Sequence, residues 1–327
     1  MIALNVGCSG AMNWIQAKIK LLRTFPLDGR YLIGVSGGRD SVALLHWLVN
    51  LGYGKLILCH LNHQLRGRSS LADARFVEKI AGKYRAEFEL KSANVRAFAT
   101  KQNMSIETAA RDSRYSFFAK VAKRRRCHTI FLAHHADDLV ETFLINLFRG
   151  AGSAGLAGMR EVSTRCIDDV GLTIVRPLLG VWRKQIDNYV RKHRLVFRED
   201  ASNKNLNPFR NRIRHRVVPY LEKICGRNIR PAIWRAATIV GEEEAWIEKQ
   251  LPDSADAQLS VGQLRALPVA LQRRAILKWL RTQNIAEVGF DVIERIRSLL
   301  DPAAPVAKIN LAHDRHARRR AGRIFVE

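Results

Sequence analysis

Residues 34–41 read GVSGGRDS and follow the short apolar run of residues 31–33. Glycine is about 0.5–1 kcal/mol less favourable than alanine inside a helix or strand, so two adjacent glycines at a strand end require a reason. They would suit an ordinary strand-to-helix turn that a serine or aspartate caps. They would equally suit a phosphate-binding loop, in which backbone N–H groups turn towards an anion. The rest of the sequence has to distinguish these two interpretations.

The first 150 residues alternate between apolar strands and amphipathic helices. Strands are predicted at RYLIGVS, KLILCHL, AEFEL and TIFLAH, with helices over roughly 41–51, 70–84, 105–126 and 137–148. This alternation is typical of a parallel sheet covered on both faces. Ligands of such sheets bind beyond the carboxyl ends of the strands, where SGGRDS, HLNH and AHHADD all fall. The predicted fold class is α/β, a doubly wound parallel sheet followed by a smaller helical domain.

The charge balance indicates a polyanionic partner. The 327 residues include 55 Lys and Arg against 30 Asp and Glu, a net charge of +25. Nucleic acid is the first candidate, and a generically basic, solvated surface is the alternative. Residues 176–235 hold 16 basic and 4 acidic residues, and the chain ends in a basic tail, HDRHARRRAGRIFVE. At this length two domains are expected, with a boundary near residue 220.

Cysteine usage and hydropathy exclude several other classes. Five scattered cysteines without a CxxC pair fit neither a zinc ribbon nor a disulfide framework, so a reducing compartment is the natural setting. The first 17 residues lack a basic region and a continuous apolar core, so no signal peptide is expected. No stretch reaches the 18 apolar residues of a membrane span. We therefore expect a cytoplasmic protein without a membrane partner.

Of three glycine-rich phosphate-binding patterns, only one is present between a predicted strand and a predicted helix, as phosphate binding requires. The Walker pattern GxxxxGK[ST] is absent, and the GxGxxG of GAGSAG follows a helix and not a strand. SGGRDS follows a strand and opens a helix, whose positive end would face an anion. Gly37 and Gly38 let backbone N–H groups approach it, and Ser36 and Ser41 offer hydroxyls. Asp40 fits beside phosphate only with a divalent cation between them, which indicates a pyrophosphate and Mg²⁺ site.

A second acidic cluster follows the fourth strand. In DDLVE, Asp138 and Glu141 lie one helical turn apart on a single face, next to Asp137. Adjacent carboxylates are costly to bury unless they hold a cation. An acidic first turn that complements the helix dipole is the alternative. Asp40 at a neighbouring strand end favours binding of a metal ion and an amine.

SGGxDS after the first strand resembles the signature of the PP-loop ATP pyrophosphatases, which split ATP into AMP and pyrophosphate and leave AMP on a substrate oxygen. Further segments resemble, in order, motifs of the tRNA(Ile)-lysidine synthase family within this superfamily. They are HLNHQLRGRSSLADARFV, SIETAARDSRYSFF, LAHHADDLVETFLINLFRGAGSAGLAGM, VRPLL and EDASNKNLNPFRNRIRHRVVP. The resemblance covers residues 30–220 densely and 260–282 more loosely. Each motif alone is modest, but six in the right order are hard to reach by chance.

The resemblance implies a two-domain ligase. Residues 1–220 would be a PP-loop ATP-binding catalytic domain, and residues 221–327 a small, mainly helical domain that contributes to tRNA binding. ATP with Mg²⁺ would adenylate the C2 oxygen of the wobble cytidine in the AUA-reading tRNA(Ile) with anticodon CAU. Free L-lysine would then displace AMP. A homodimer is left open.

The motif positions imply the site residues. The expected ATP contacts are Ser36, Gly37, Gly38, Arg39, Asp40, Ser41, His60 and Arg111. The expected catalytic residues are Asp40, Arg111, His134 and Asp138. Asp40 and Asp138 would bind metal, and Asp137 and Glu141 the lysine ammonium, although which carboxylate takes which part is left open. His134 and His135 could form a metal pair, but adjacent residues point in different directions, so a polar contact of His134 to nucleotide or carboxylate is expected instead. His60 could equally be an ordinary loop histidine. Arg111 could equally belong to a solvated helix face.

Residues 198–216 interleave arginines with asparagines and a phenylalanine. RNA recognition uses arginines for phosphates, and amides or aromatic rings for unstacked bases. A basic solvated loop would explain the charge but not the repeated asparagines. The residues expected to bind tRNA are Arg149, Arg176, Asn203, Arg210, Asn211 and Arg214.

Two rival functions stay open. Another PP-loop tRNA modifier, such as a thiolase, usually carries CxxC cysteines, which this chain lacks. A non-catalytic RNA-binding protein with a vestigial nucleotide fold is the second rival. The costly carboxylates of the two acidic motifs argue against it, because decay would lose them first.

Overall fold

The structure, a computed structural model, describes residues 14–65, 67–198, 209–251, 258–285, 288–301, 303, 307–312 and 314–327. The described residues fall into two compact units. The first lies within Met1–Ile145 and Gly158–Ala237, and the second within Asn146–Ala157 and Thr238–Glu327. The division into functional domains at residue 220 stays a prediction.

Six of the described strands form one sheet in the first unit, in the order β3-β2-β1-β4-β6-β5. Their bounds are β1 Tyr31–Gly34, β2 Leu56–Asn62, β3 Glu87–Ser92, β4 Thr129–Phe131, β5 Val162–Ile167 and β6 Val170–Val175. Neighbouring strands are parallel, except that β5 pairs antiparallel with β6 at one edge. The predicted α/β fold with a doubly wound, mostly parallel sheet is confirmed.

Helices cover both faces of this sheet. Their bounds through the first unit are α1 Trp14–Thr24, α2 Arg39–Leu51, α3 Arg68–Lys83, α4 Val95–Lys101, α5 Ile106–Arg125, α6 Ala136–Phe148, α8 Arg183–Lys192, α9 Phe209–Arg212 and α10 Val218–Cys225, and a π-helical turn, Ile213–Val217, joins the last two. Adjacent residues of β1 point to opposite faces: Ile33 packs with Leu44, and Leu32 with Phe118. All four side chains are almost completely buried.

The order of the strands determines where a ligand can bind. The chain moves from β1 to β2 and β3 on one side, and β4 then returns to the other side of β1. Such a switch point leaves a crevice at the carboxyl ends of the two neighbouring strands. SGGRDS follows β1 and AHHADD follows β4, so both motifs lie at this crevice.

The β5–β6 hairpin was not predicted from the sequence. β6 alternates between buried and exposed residues, whereas β5 is largely exposed, as expected for an edge strand. The polar composition of VSTRCI therefore concealed a strand that only its pairing with β6 identifies.

The second unit combines helices with a small antiparallel sheet. The helices are α7 Ser153–Leu156, the C-terminal part of α11 Arg230–Gln250, α12 Val261–Arg265, α13 Val269–Thr282 and α14 Phe290–Ser298. In the described residues, β7 Leu259–Ser260, β8 Lys308–Asn310, β9 His316–Arg320 and β10 Arg323–Val326 pair in the order β7-β10-β9-β8. The helices agree with the sequence, but the interpretation of the last residues as a basic tail was wrong, because they form β9 and β10. No helix of the described residues has the length and apolar character of a bilayer span.

Trp279 of α13 provides a test of the core of the second unit. Its side chain is 0% exposed and packs in a cluster with Leu264, Ile276 and Ile324. We expect Trp279→Ala to destabilise this unit by about 3–5 kcal/mol, because the indole leaves a large cavity. The exposed Trp246, at 63%, is the matched control, and Trp246→Ala should change stability by at most about 0.5 kcal/mol. Urea unfolding followed by circular dichroism measures both, and equal midpoints would contradict the packing.

Candidate active site

The turn between β1 and α2 is held by its own two serines. The Ser41 hydroxyl donates to the Gly38 carbonyl (2.9 Å) and accepts from the Ser36 backbone N–H (3.2 Å). The Ser36 hydroxyl accepts from the Gly38 N–H (3.2 Å). The N-terminus of α2 starts directly behind this turn, so its first N–H groups and the helix dipole face the same space. The turn thus has the geometry of an anion site.

Gly37 is the position in this turn that tolerates no side chain. Its φ of +85° lies in the left-handed region, which residues with a Cβ rarely adopt. A Cβ here would also lie 3.3 Å from both Phe76 and Val77 on α3. The Gly37 carbonyl accepts from the backbone N–H of Arg198 at 3.0 Å. The glycine is therefore required by backbone conformation and by close packing together.

A cavity of about 470 Å³ opens beside the turn, within the range typical of small-molecule sites. It reaches from the end of β1 to the ends of β2 and β4. Its polar lining includes Ser36, Asp40, Ser41, His60, Asn62, His63, Ser70, Asp73, Arg114, His134 and Arg198. Of the eight residues predicted to contact ATP, five line this cavity: Ser36, Gly38, Asp40 and Ser41 of the turn, and His60 of β2.

Three histidines of the cavity are held in the neutral form. The His60 Nδ1 donates to the Val35 carbonyl (2.8 Å), and burial lowers the pKa of its ring. Burial, together with Arg114 and His60, lowers the pKa of His63 to about 4. Burial also lowers the pKa of His134 to about 3, against the opposing effect of Asp138. At neutral pH these rings offer hydrogen bonds to a ligand but no positive charge.

His135 lies among three carboxylates. Its Nε2 is 3.5 Å from Asp138 Oδ2 and 3.8 Å from Asp40 Oδ2, and its Nδ1 is 3.7 Å from Asp137 Oδ2. The ring is almost completely buried, at 1% exposure. The sequence favoured His134 for a polar contact, and it does line the cavity, but it gave no role to His135. The available signal was its position one residue before the acidic helix α6.

Asp40 and Asp138 suit a divalent cation. One carboxylate oxygen of Asp40 is buried without a hydrogen-bond partner, and both side chains approach the same nitrogen of His135. Burial raises the pKa of Asp138, but His135, His134 and Arg210 outweigh it and hold the pKa at about 2. Among the described residues, no three His, Cys, Asp or Glu side chains form a complete metal site. A pair of carboxylates is nevertheless the donor set with which Mg²⁺ binds nucleotide phosphates.

Asp137 and Glu141 are already paired with basic groups. Asp137 accepts from the backbone N–H of Arg183 (2.9 Å) and from the Arg230 guanidinium (2.8 Å). Glu141, at 2% exposure, accepts two hydrogen bonds from Arg214, of 2.6 and 3.0 Å. Their assignment to the lysine ammonium stays a prediction, because a ligand cation would have to share or replace these partners.

The two predicted arginines of the ATP site lie differently. The Arg39 guanidinium pairs with Asp187 of α8 (2.5 Å) and lies over the ring of Phe197. The Arg111 guanidinium lies over the ring of Tyr115, 5.8 Å from its centroid. Arg114, one turn further along α5, lines the cavity instead. Both assignments to ATP stay predictions.

The predicted tRNA-binding residues divide by exposure. Arg149 is exposed, in the second unit. Arg176 is 2% exposed and donates to the Arg160 carbonyl and to Ser163. Arg210, Asn211 and Arg214 lie on the inner side of their helix, and Asn203 lies outside the described residues. For the buried members, a contact with tRNA stays a prediction that would require them to leave their present partners.

A glycine-rich turn that faces carboxylates across the switch point of a parallel sheet defines a PP-loop protein. The family model of the PP-loop domain matches residues 13–221, and that of the TilS substrate binding domain matches residues 259–325. Among solved structures, the chain is similar to the U34-tRNA thiolase NcsA from Methanococcus maripaludis, with a TM-score of 0.51 over 70% of this chain and 78% of that chain. At 18% identity, this likeness shows the fold alone.

Curated relatives define the family more narrowly. The chain is 36% identical to the tRNA(Ile)-lysidine synthase of Geobacter sulfurreducens, over 92% of this chain and 67% of the relative. The corresponding enzyme of Chlorobaculum tepidum is 34% identical, over 84% and 83%, and that of Thermosynechococcus vestitus 32%, over 93% and 88%. The chain belongs to the tRNA(Ile)-lysidine synthase family, whose members are ligases that form a carbon–nitrogen bond.

Substitution of Gly37 tests the anion turn. We expect Gly37→Ala to weaken ATP binding about tenfold or more, because a left-handed conformation costs an L-residue about 1–2 kcal/mol and the new Cβ meets α3. Gly54→Ala is the matched control, since no heavy atom lies within 4 Å of a Cβ at Gly54. Calorimetric titration with ATP measures both variants. Equal affinities for ATP would show that the turn does not bind it.

The low pKa of His63 predicts a dependence of stability on pH. Because its pKa is about 4 in the folded chain and near 6.5 when unfolded, the unfolded chain takes up a proton first as the pH falls. The contribution to stability is complete above about pH 6.5 and is lost as the pH falls towards 4. In His63→Asn, we expect the free energy of unfolding to fall less steeply as the pH decreases, by a slope that corresponds to at most one proton. Urea midpoints between pH 7 and 4.5 measure this slope. A variant whose stability falls as steeply with decreasing pH as that of the parent would contradict a neutral, buried His63.

Proposed function

We propose that this chain joins free L-lysine to C2 of the wobble cytidine in the AUA-reading tRNA(Ile) with anticodon CAU, and that ATP is converted to AMP and pyrophosphate. Membership of the family supplies the reaction class. The observation that carries the proposal is the meeting of the SGGRDS turn with Asp40 and Asp138 at one edge of the sheet, beside a cavity of nucleotide size. We place the reaction in the cytoplasm, where tRNA and free lysine are both present.

Adenylation overcomes a leaving-group problem. The oxygen on C2 of cytidine is carbonyl-like and departs poorly when an amine attacks this carbon. Transfer of AMP from ATP to that oxygen releases pyrophosphate and creates a phosphate leaving group. The lysine amine then attacks C2, the C2–O bond breaks with departure of AMP, and the new C–N bond remains. No step requires a covalent nucleophile of the enzyme.

The SGGRDS side of the cavity would bind the phosphates. The N-terminus of α2 would provide fixed donors that need no reorganisation during the reaction, and the hydroxyls of Ser36 and Ser41 lie in the turn directly before it. Mg²⁺ would neutralise negative charge on the triphosphate, and Asp40 and Asp138 are the residues that would hold it. Arg111 and Arg114 of α5 are proposed to counter the charge of the departing pyrophosphate. Neutral His134 would serve as a hydrogen-bonding group towards the nucleotide.

The lysine ammonium would be received at Asp137 or Glu141. Both carboxylates are buried, so each must keep a cationic partner at every stage. Arg230 and Arg214 fill this role in the structure. An ammonium that shares a carboxylate with one of these arginines would satisfy the same requirement, which supports the proposal without assigning the lysine to one residue.

Incorporation of labelled lysine tests this function. We expect incorporation into an in vitro transcript of the tRNA(Ile) with anticodon CAU only when ATP is present, and none into the methionine tRNA with the same anticodon. Asp138→Asn should lower the rate at least about 100-fold, because it removes a charge that acts on the transition state. The exposed Asp28, as Asp28→Asn, is the control and should retain the rate.

The outcomes separate the rival functions. Release of AMP and pyrophosphate with tRNA, but without lysine incorporation, would indicate another PP-loop tRNA modifier. Binding of tRNA without consumption of ATP would indicate a non-catalytic RNA-binding protein. Full activity of Asp138→Asn would refute the catalytic assignment of this residue.

A further inference from the structure

The helical segment from Phe209 to Cys225 has two chemically different sides. It runs without interruption through α9, the π-helical turn and α10. On its inner side, Ile213 and Val218 are 0% and 1% exposed and pack against Val140 and Leu144 of α6. The segment is therefore anchored on the helix that carries the catalytic carboxylates.

The inner basic residues of the segment contact α6. Arg214 donates two hydrogen bonds to Glu141 and lies 3.6 Å from Asp138. Arg210 donates to the Thr142 hydroxyl at 2.5 Å. If Arg214 turned towards an RNA phosphate, it would leave the buried Glu141 without its hydrogen-bonded partner, which is strongly unfavourable. Exposed residues of this segment are therefore better placed for phosphate contacts.

The outer side presents a second set, Arg212, Arg216, Tyr220 and Lys223, which we call the outer stripe. Spacings of four, four and three residues place them on one side of successive helical turns. All four are exposed, and Tyr220 is 63% exposed with the equally exposed Ile224 (64%) beside it. Within the part of the chain that the structure describes, no carboxylate forms an ion pair with Arg212 or Arg216. Three cations and an unburied aromatic ring thus share one surface.

We propose that the outer stripe binds the tRNA loop beside the nucleotide that reacts, an inference that rests on the proposed tRNA substrate. Arginine and lysine side chains would contact phosphates, and Tyr220 would stack on an unpaired base, the two devices by which single-stranded RNA is held. Position supports this occupant, because Arg214 of the same segment contacts Glu141. Arg212 and Arg216, on the other side of the helix from Arg214, therefore lie about one helix diameter, roughly 10 Å, from the carboxylates of α6, and Tyr220 and Lys223 follow further along the segment.

Charge favours RNA over a protein partner at this surface. An exposed tyrosine and isoleucine alone would also suit a second copy of the chain or another protein. Three exposed cations without described carboxylate partners repel a second copy of a chain whose net charge is +25. They attract a polyanion, and a loop of tRNA supplies both the phosphates and the unstacked bases.

The salt dependence of tRNA binding tests the phosphate contacts. For Arg212→Gln/Arg216→Gln, we expect weaker binding and a slope of log Kd against log salt that is smaller by about 1.4–1.8, the loss of two phosphate contacts. Arg23→Gln/Arg96→Gln removes the same charge from exposed positions on α1 and α4 and should leave the slope unchanged. Filter binding of the tRNA transcript measures both without requiring catalysis. Equal slopes in the two double variants would overturn the inference.

Substitution of Tyr220 tests the stacking contact. Tyr220→Ala should weaken tRNA binding about tenfold without a change in the salt slope, whereas Tyr220→Phe should bind as the parent does. ATP affinity should be unchanged in each variant, because none of these residues lines the cavity, and this confirms an intact fold. Altered sedimentation with unchanged tRNA binding would instead identify a protein interface and refute the inference.

Failure of the proposed function would remain distinguishable. A parent chain that forms no lysidine but loses tRNA affinity in the variants of the outer stripe would contradict the reaction and support the surface. A parent chain that forms lysidine, with variants of the outer stripe that bind tRNA normally, would support the reaction and contradict the surface.

Discussion

The parallel pairing of β1 with β4 is the constraint on which the site depends. Leu32 and Ile33 pair with Ile130 and Phe131, so the two strands end side by side. Each strand continues into a turn and a helix that starts with acidic residues, and Asp40 and Asp138 consequently approach the same imidazole nitrogen of the buried His135. The two strands are not consecutive in the sequence, because β2 and β3 lie between them. The sheet thus brings the glycine-rich turn and the carboxylates of α6 to one edge, although the two motifs are far apart in the sequence.

Charge compensation is the second requirement of this arrangement. Two of the carboxylates on α6 are buried and would be unstable alone. Arg214 and Arg230 satisfy Glu141 and Asp137, and both come from the basic stretch that follows residue 209. Part of the strong positive charge of this stretch therefore serves the interior of the first unit. The remaining positive charge lies on the outer side, does not compensate buried carboxylates, and is accessible to a nucleic acid.

The π-helical turn between α9 and α10 allows one segment to compensate buried carboxylates and to present exposed basic residues. The five residues Ile213–Val217 form this turn, and Arg214 within it reaches the carboxylates of α6 while Arg216 stays exposed. Such local widening of a helix is common at functional sites. If tRNA binds the outer side of this segment as proposed, Arg214 on its inner side would couple the position of the bound loop to the geometry of the α6 carboxylates.

The sequence by itself determined the α/β class, the strand-end location of SGGRDS and DDLVE, and the resemblance to the family. These features are local: strand and helix periodicity, glycine at a position of positive φ, and acidic residues in a first helical turn can each be recognised within about ten residues. The tertiary structure alone decided the β5–β6 hairpin, the small sheet of the second unit, the central place of His135, and the inward orientation of Arg176, Arg210 and Arg214. An arginine in a helix has the same local pattern whether it faces solvent, RNA or a buried glutamate. Only the element packed against that helix decides between them, and in this chain it is α6, about 70 residues earlier in the sequence.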